Sequence, residues 1–266
     1  MRNNWIDEQL KFMVSQWDNA ISTHYPQHRK AWEDPEEHFR HIQEEWGLLD
    51  ATQVIPWDEY LKGENLTLLE LGCGTGWLSA YLSKFSSISN IYAVDSSLFF
   101  IEKMMPEIIR LMDGEAQKII PINGLFTPIL VDNNSIDIVV ACSAIHHANE
   151  LVSVLEEIYR VLKPEGKLFI LNETPLGYFS YLYLLIKIAI KILINSSKKQ
   201  YSTLSQAVSS NGILYDPTLG DRAYPTWLWE KAIRKAGFSL EIVKTKHKTL
   251  KKSAKGICLT HFICKK

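Results

Sequence analysis

Residues 68–77 read LLELGCGTGW, an apolar run that ends at Glu70–Leu71 and then places glycine at every second position. A short apolar run bounded by glycine marks a strand buried on both faces. Glycines at 72, 74 and 76 open backbone angles closed to other residues and let a ligand come close to the main chain. The stretch that follows, WLSAYLSKF, has helical spacing, so the loop brings the free N–H groups of a helix start to the strand's C-terminal end. Corners of this kind hold nucleotides in open parallel sheets. The next apolar run ends IYAVD, with Asp95 lying 23 positions after Gly72. There a carboxylate can accept both hydroxyls of a ribose. The spacing is G-x-G-x-G rather than the dinucleotide pattern G-x-G-x-x-G. Glu70 suits a ligand with a cationic amino group better than a pyrophosphate.

From Thr67 onward, short apolar runs (TLLEL, IYAVD, KIIPI, IDIVVA, KLFILN) alternate with amphipathic stretches at about 75–85, 97–112 and 149–162. That alternation predicts an α/β fold, a mostly parallel sheet with helices on both faces. Lys163-Pro164-Glu165-Gly166 reads as a helix stop and turn before the fifth strand. A further helix at about 225–236 ends at Gly237, and SLEIVK and GICLTHFICKK read as a closing pair of strands. Residues 1–62, which hold five of the eight tryptophans, read as an N-terminal helical cap. Residues 63–266 form the main domain, with a helical insertion at 176–223 after the fifth strand.

Bulk properties narrow the function. The chain has 266 residues and a net charge of −1, without the basic, aromatic groove that a nucleic-acid partner requires. Four scattered cysteines do not make a disulfide framework, and the first residues lack an apolar leader, so a cytoplasmic setting is expected.

The motifs ELGCGTGWLS, AVDSS, NSIDIVVACSAIHH and IYRVLKPEGKLFILNE, in this order and spacing, resemble the class I S-adenosylmethionine-dependent methyltransferases. The likeness is close over about 65–175 and looser over 224–266. It implies a Rossmann-like seven-stranded sheet with the last strand antiparallel, and S-adenosylmethionine as cofactor along the strand C-termini. It also implies that Glu70 serves the methionine amino group. Gly72, Cys73 and Gly74 would line methionine and ribose, Asp95 hold the ribose, and Ser96 flank the adenine. The carbonyl of Cys142 or Ser143 would accept from the amino group. Family members often carry an acid after the third strand to receive the adenine amine. Here Asn123, Gly124 and Leu125 stand there, which leaves adenine recognition to Asn123 or to main-chain groups.

Transfer from a sulfonium needs positioning above all, and a base where the acceptor bears a proton. His146 and His147 follow the fourth strand, and Glu173 ends the fifth; these are the candidate catalytic residues. WDNAISTHY (17–25) resembles the family segment that folds over the cofactor, and packing within the cap explains it equally well. A metal site is not expected: Pro26 spoils the His24–His28 spacing, and His261 faces away from Cys258 and Cys264 on a strand. The stretch 178–199, YFSYLYLLIKIAIKILINSSKK, is apolar but carries Lys187 and Lys191 one turn apart, a polar stripe with Ser180, Asn195 and Lys198. It is too short and too charged to span a bilayer. Three readings of 178–195 remain: a lid over the acceptor site, a dimer surface, or a helix lying on a membrane. Family analogy favours the lid. Tyr215, Asp216, Asp221, Arg222 and Tyr224 could touch an acceptor or be ordinary loop residues.

The expectation is an S-adenosylmethionine-dependent methyltransferase acting on a small, lipophilic molecule, with O-, N- or C-methylation left open. The alternatives are a non-catalytic S-adenosylmethionine-binding protein and an NAD-dependent oxidoreductase, the latter disfavoured by the glycine spacing.

Overall fold

The computed structural model describes residues 4–6, 32–148, 150–193, 214–215, 222–248 and 258–266. The 17–25 segment, His28, Asn195, Lys198, Asp216 and Asp221 lie outside these residues. Five parallel strands come first: β1 (Leu66–Leu71), β2 (Ile88–Asp95), β3 (Ile119–Asn123), β4 (Ile136–Cys142) and β5 (Leu162–Glu173). A two-stranded ribbon follows, β6 (Leu214–Tyr215) with β7 (Arg222–Ala223), and then β8 (Ser239–Lys248) and β9 (Cys258–Lys265). The main sheet has seven strands in the order β3-β2-β1-β4-β5-β9-β8, and β9 runs antiparallel to both neighbours.

Alternation along each strand feeds two cores. Leu69, Leu71, Val139 and Ala141 enter one, while Leu68, Ile138 and Val140 enter the other. Helices cover both faces, which is why these strands read as continuous apolar runs. Among the described residues the α-helices are, in chain order, α1 (Pro35–Arg40), α2 (Leu48–Thr52), α3 (Trp57–Tyr60), α4 (Trp77–Ser83), α5 (Met105–Leu111), α6 (Leu151–Val161), α7 (Tyr178–Leu193) and α8 (Thr226–Lys235). A π-helical turn at Phe100–Met104 leads into α5. In α1, Asp34 caps the N–H groups of Glu36 and Glu37, with Pro35 at the first helical position. Leu151, Val154, Leu155, Ile158 and Val161 make the buried face of α6.

The turn expected before the fifth strand lies inside it. Ile136 pairs with Leu162 and Ile138 with Lys167, so residues 163–166 loop out opposite Asp137. Glu165 takes the left-handed conformation at φ +63, and Lys163 closes the bulge with an ion pair to Asp137 at 2.8 Å.

The far end of β5 is bent as well. Its pairing with β9 skips from Ile170–Phe262 to Glu173–Thr260, and Asn172 sits at φ +55. The Asn172 backbone N–H donates to His261 Nδ1 at 3.0 Å, so His261 carries its proton on Nε2 and donates it to the Ala51 carbonyl at 2.8 Å. The Asn172 side chain donates to Leu48 O, Thr52 Oγ1 and Cys142 Sγ. One buried histidine and one strained asparagine thus join α2, β4, β5 and β9, and set the direction in which the chain leaves the sheet at Glu173. Cys264 lies in the opposite core, as strand alternation requires.

Replacing His261 by leucine leaves a buried N–H and a buried carbonyl without partners. Each such loss costs about 1–3 kcal/mol, so urea unfolding should show a chain about 3 kcal/mol less stable; an unchanged midpoint contradicts this role.

Candidate functional site

The loops after β1, β3 and β4 converge on the α-carbon of Gly72. A Cβ placed there would lie 2.6 Å from Ala144 Cβ and 3.1 Å from the Phe126 ring, and Gly72 has φ +69. No other residue fits. Its N–H and that of Cys73 donate to Val94 O at the end of β2, at 2.8 and 3.0 Å. Gly74 also has positive φ (+52), but nothing lies within 4 Å of the position its Cβ would take, so the main chain there faces open space. Gly76 starts α4 in the left-handed conformation.

Asp95 holds this loop. Its Oδ2 accepts from Gly74 N and its Oδ1 from Ser97 N, both at 2.8 Å. One carboxylate therefore ties the loop after β1 to the loop after β2, as charge-assisted bonds to main-chain N–H groups do well. On the outer side, Thr75 of the glycine loop meets His38 of α1, its Oγ1 2.9 Å from Nε2. His41, the other histidine of this region, is held by Glu37 O and the Glu45 carboxylate.

Glu70 is only 1% exposed and accepts a short hydrogen bond from the Ser79 hydroxyl of α4. Burial pushes its carboxyl up to about 8; the Ser79 bond opposes the shift, and the negative charge of Asp95 adds to it. Burial likewise pushes the Cys73 thiol well above its ordinary range, so this cysteine is an inert wall.

Across the strand ends, Asn123 pairs with Asp95 in the β2–β3 register, and its amide donates to Asp95 O and Ser96 O at 3.2 and 2.9 Å. Gly124 N donates to Asp95 O, and Leu125 is half-buried beside it. The Asn123 side-chain donors thus join two strand ends. An unexpected neighbour is Trp5. Its N–H donates to Asn123 O at 2.7 Å, and its ring packs on Gly124, where an added Cβ would come within 3.2 Å of it. Its buried indole Nε1–H has no partner among the described residues. Nothing in the local pattern around Trp5 announces a contact 118 positions away.

The second half of the site stands at the ends of β4 and β5. Ser143, at φ +48, donates its N–H to Leu171 O and its hydroxyl to Asn172 O, and Cys142 lies beneath with its sulfur against Asn172. His146 Nδ1 lies 2.8 Å from Glu173 Oε2. Glu173 is 3% exposed, and its Oε1 is buried without a partner among the described residues. With the Nδ1 proton donated to Glu173, Nε2 is the basic nitrogen of His146. The ring of His147 lies tilted against it, with centroids 4.2 Å apart and planes at 43°, while the His147 carbonyl accepts from Arg222 Nη1 at 2.7 Å. Together His146, Glu173, Thr174, Arg222, Tyr224 and Trp229 line a pocket of about 120 Å³. Arg222 and Tyr224 return from the insertion to this wall, because Leu176 and Tyr224 are clipped together main chain to main chain. Burial pushes the Tyr224 hydroxyl up to about 12, against the lowering effect of Arg222, so it stays protonated.

The residues fit the group that the sequence implies. Open space over Gly74 admits a ligand to the backbone, Asp95 stands beside it, and Glu70 is a buried carboxyl that a cationic amino group would ionise. A pyrophosphate would meet the field of two acids instead.

A methyltransferase-domain family model matches residues 69–170, from β1 into β5. Among curated proteins, sterol 24-C-methyltransferase erg6 of Aspergillus fumigatus is 33% identical over 103 residues, which cover 39% of this chain and 26% of that relative. The mitochondrial arginine-hydroxylase NDUFAF5 of Homo sapiens is 31% identical over 133 residues, 48% of this chain and 33% of that relative. The match thus spans about a quarter to a third of these relatives' length. Among solved structures, an S-adenosylmethionine-dependent methyltransferase from Aquifex aeolicus superposes with a TM-score of 0.52 at 18% identity, over 87% of this chain and 94% of that one. At that identity the likeness is one of fold.

Glu70 is protonated in both folded and unfolded chains below pH 4.5. Between 4.5 and about 8 only the unfolded chain ionises, so its contribution to stability falls across that window and then levels off. Unfolding free energies measured from pH 4 to 9 should lose this downward component in Glu70→Gln; identical profiles would refute the buried-carboxyl assignment.

Proposed function

We propose that this chain, a class I S-adenosylmethionine-dependent methyltransferase, methylates a small, lipophilic acceptor whose reactive group loses a proton to His146. The observation that carries the reading is the 2.8 Å contact between His146 Nδ1 and Glu173 Oε2 in the wall of a pocket at the ends of β4 and β5. Bound at that loop, S-adenosylmethionine supplies a methyl group already activated on a sulfonium sulfur. Glu70, Gly72, Cys73, Gly74, Asp95 and Ser96 would hold it, with the main chain of Cys142 and Ser143 on the far side. Asn123, Gly124 and Leu125, with Trp5 behind them, would bound the adenine end.

The chain's own contribution to chemistry is then small and specific. Glu173 fixes the tautomer and orientation of His146 and stabilises the imidazolium formed when Nε2 takes a proton. Tyr224 and Trp229 wall off the pocket, which strengthens that electrostatic pairing. Arg222, bonded to the carbonyl of His147, braces the turn that carries both histidines. Support for a lipophilic acceptor comes from the 103-residue similarity to sterol 24-C-methyltransferases. Because an arginine-hydroxylase shares 31% identity with this chain over 133 residues, the chemistry rests on the His146–Glu173 pair and not on the fold.

The test is S-adenosylhomocysteine production over a panel of small hydroxyl, amine and carbon acceptors. His146→Ala should lower kcat by about 10²–10⁴-fold with cofactor affinity unchanged, and Glu173→Gln should lower kcat while displacing the acidic limb of its pH profile. Full turnover in His146→Ala removes the base; no product with any acceptor favours a protein that binds the cofactor without transfer.

A further inference from the structure

Helix α7 presents an apolar stripe to solvent. Phe179, Leu182, Tyr183, Ile186 and Ile190 are all exposed, Phe179 at 84%. At 100° per residue these five fall within one stripe about 100° wide. Lys187 is exposed on its flank, and the half-buried residues Tyr181, Leu184, Leu185, Ile188 and Ala189 occupy the opposite side. Tyr181 and Tyr178 pack on Trp227 of α8, at 5.1 and 6.1 Å, which anchors the helix to the domain with the stripe outward. Tyr178 and Trp227 are themselves exposed, so aromatic side chains rim the stripe where it meets the body of the protein.

No α7 side chain is in the wall of the pocket formed by His146, Glu173 and Arg222. No helix among the described residues is long and apolar enough to cross a membrane. A solvent-facing apolar stripe on a surface helix marks a partner, since a helix of a globular domain ordinarily turns that stripe inward. Charge identifies the partner. From Thr174 to Tyr215 the sequence contains Lys187, Lys191, Lys198 and Lys199 and not one aspartate or glutamate, within a chain whose net charge is −1. An apolar stripe flanked by lysine in a stretch without acids matches an anionic lipid surface, which offers acyl chains for the stripe and phosphates for the ammonium groups. Tyrosine and tryptophan at the border suit the headgroup level.

We propose that α7 is a peripheral membrane anchor that lies on anionic lipid, with Phe179, Leu182, Tyr183, Ile186 and Ile190 below the headgroups and Lys187 among them. The anchor is independent of the methyl-transfer reading and of the identity of the acceptor. It has a geometric consequence, because Leu176, two residues before the helix, is hydrogen-bonded to Tyr224 and Thr226 at the pocket wall. The pocket therefore stands close to the lipid.

Co-sedimentation of the full chain with phosphatidylcholine vesicles, with and without phosphatidylserine, tests the proposal. Wild type should bind the phosphatidylserine vesicles, weakly or not at all the neutral ones, and more weakly as salt is raised. Phe179→Ser/Ile186→Ser should lose binding while keeping its melting temperature, since both side chains are exposed. Lys187→Gln should weaken binding to anionic vesicles about fivefold and leave any neutral binding unchanged. No sedimentation with phosphatidylserine, equal binding to both vesicle types, or full binding by the double variant overturns the proposal. So does a concentration-dependent dimer, seen by analytical ultracentrifugation, that the double variant abolishes, because the stripe would then be a contact between copies.

Discussion

Three loops of this domain meet at a single α-carbon, that of Gly72, and no side chain can stand there. Ala144 and Phe126 occupy the space that a Cβ would need, so the loops after β1, β3 and β4 close on one another only because residue 72 lacks one. Asp95 supplies the complementary constraint by holding Gly74 and Ser97 at once. Hydrogen bonds to a charged group contribute about 1.5–3 kcal/mol each, so these two oppose the conformational freedom of a glycine-rich loop. The same junction brings the β1–β2 half of the site, with its two acids, against the β4–β5 half, with its histidine and third acid.

The β4–β5 half carries backbone strain where the chain changes direction. Ser143 and Asn172 both adopt positive φ, and each is over-determined by hydrogen bonds to neighbouring strands. The bulge at Asn172, held by buried His261, interrupts the β5–β9 ladder before Glu173 and leaves Glu173 beside His146. Without it, simple alternation along β5 would govern where Glu173 points. The His146–Glu173 pairing is therefore a product of the junction at which β9 runs antiparallel against β5.

Much of this was legible in the sequence, and the reason is locality. The strands, the glycine loop and Asp95 are signalled by apolar runs, spacing and neighbouring residues, and the sheet that forms agrees with them. The 163–166 turn was visible too, but its place inside β5 depends on register with β4, which no local pattern encodes. His146 and Glu173 were each legible as candidates at strand ends. Their contact, across 27 positions, needs both the β4–β5 register and the bulge. Asn123 read, beside main-chain groups, as a candidate for the adenine; that its amide also joins the ends of β2 and β3 needs the register between those strands. Trp5 and His38, which reach the site from the N-terminal region, carry no motif at all. For 178–195 the sequence discloses a polar stripe on an apolar helix, but only packing against Trp227 reveals which apolar stripe of α7 is left outside.

The central claim is that a cationic nucleoside docks at the glycine loop with Asp95 beside it. Calorimetric titration with S-adenosylhomocysteine and with NAD, on wild type and on Asp95→Ala, tests it most directly. Saturable uptake of S-adenosylhomocysteine by wild type, at least about tenfold weaker in the variant, with no uptake of NAD, is the predicted result. Binding of NAD in preference, or S-adenosylhomocysteine affinity that does not change when Asp95 is removed, would contradict the account.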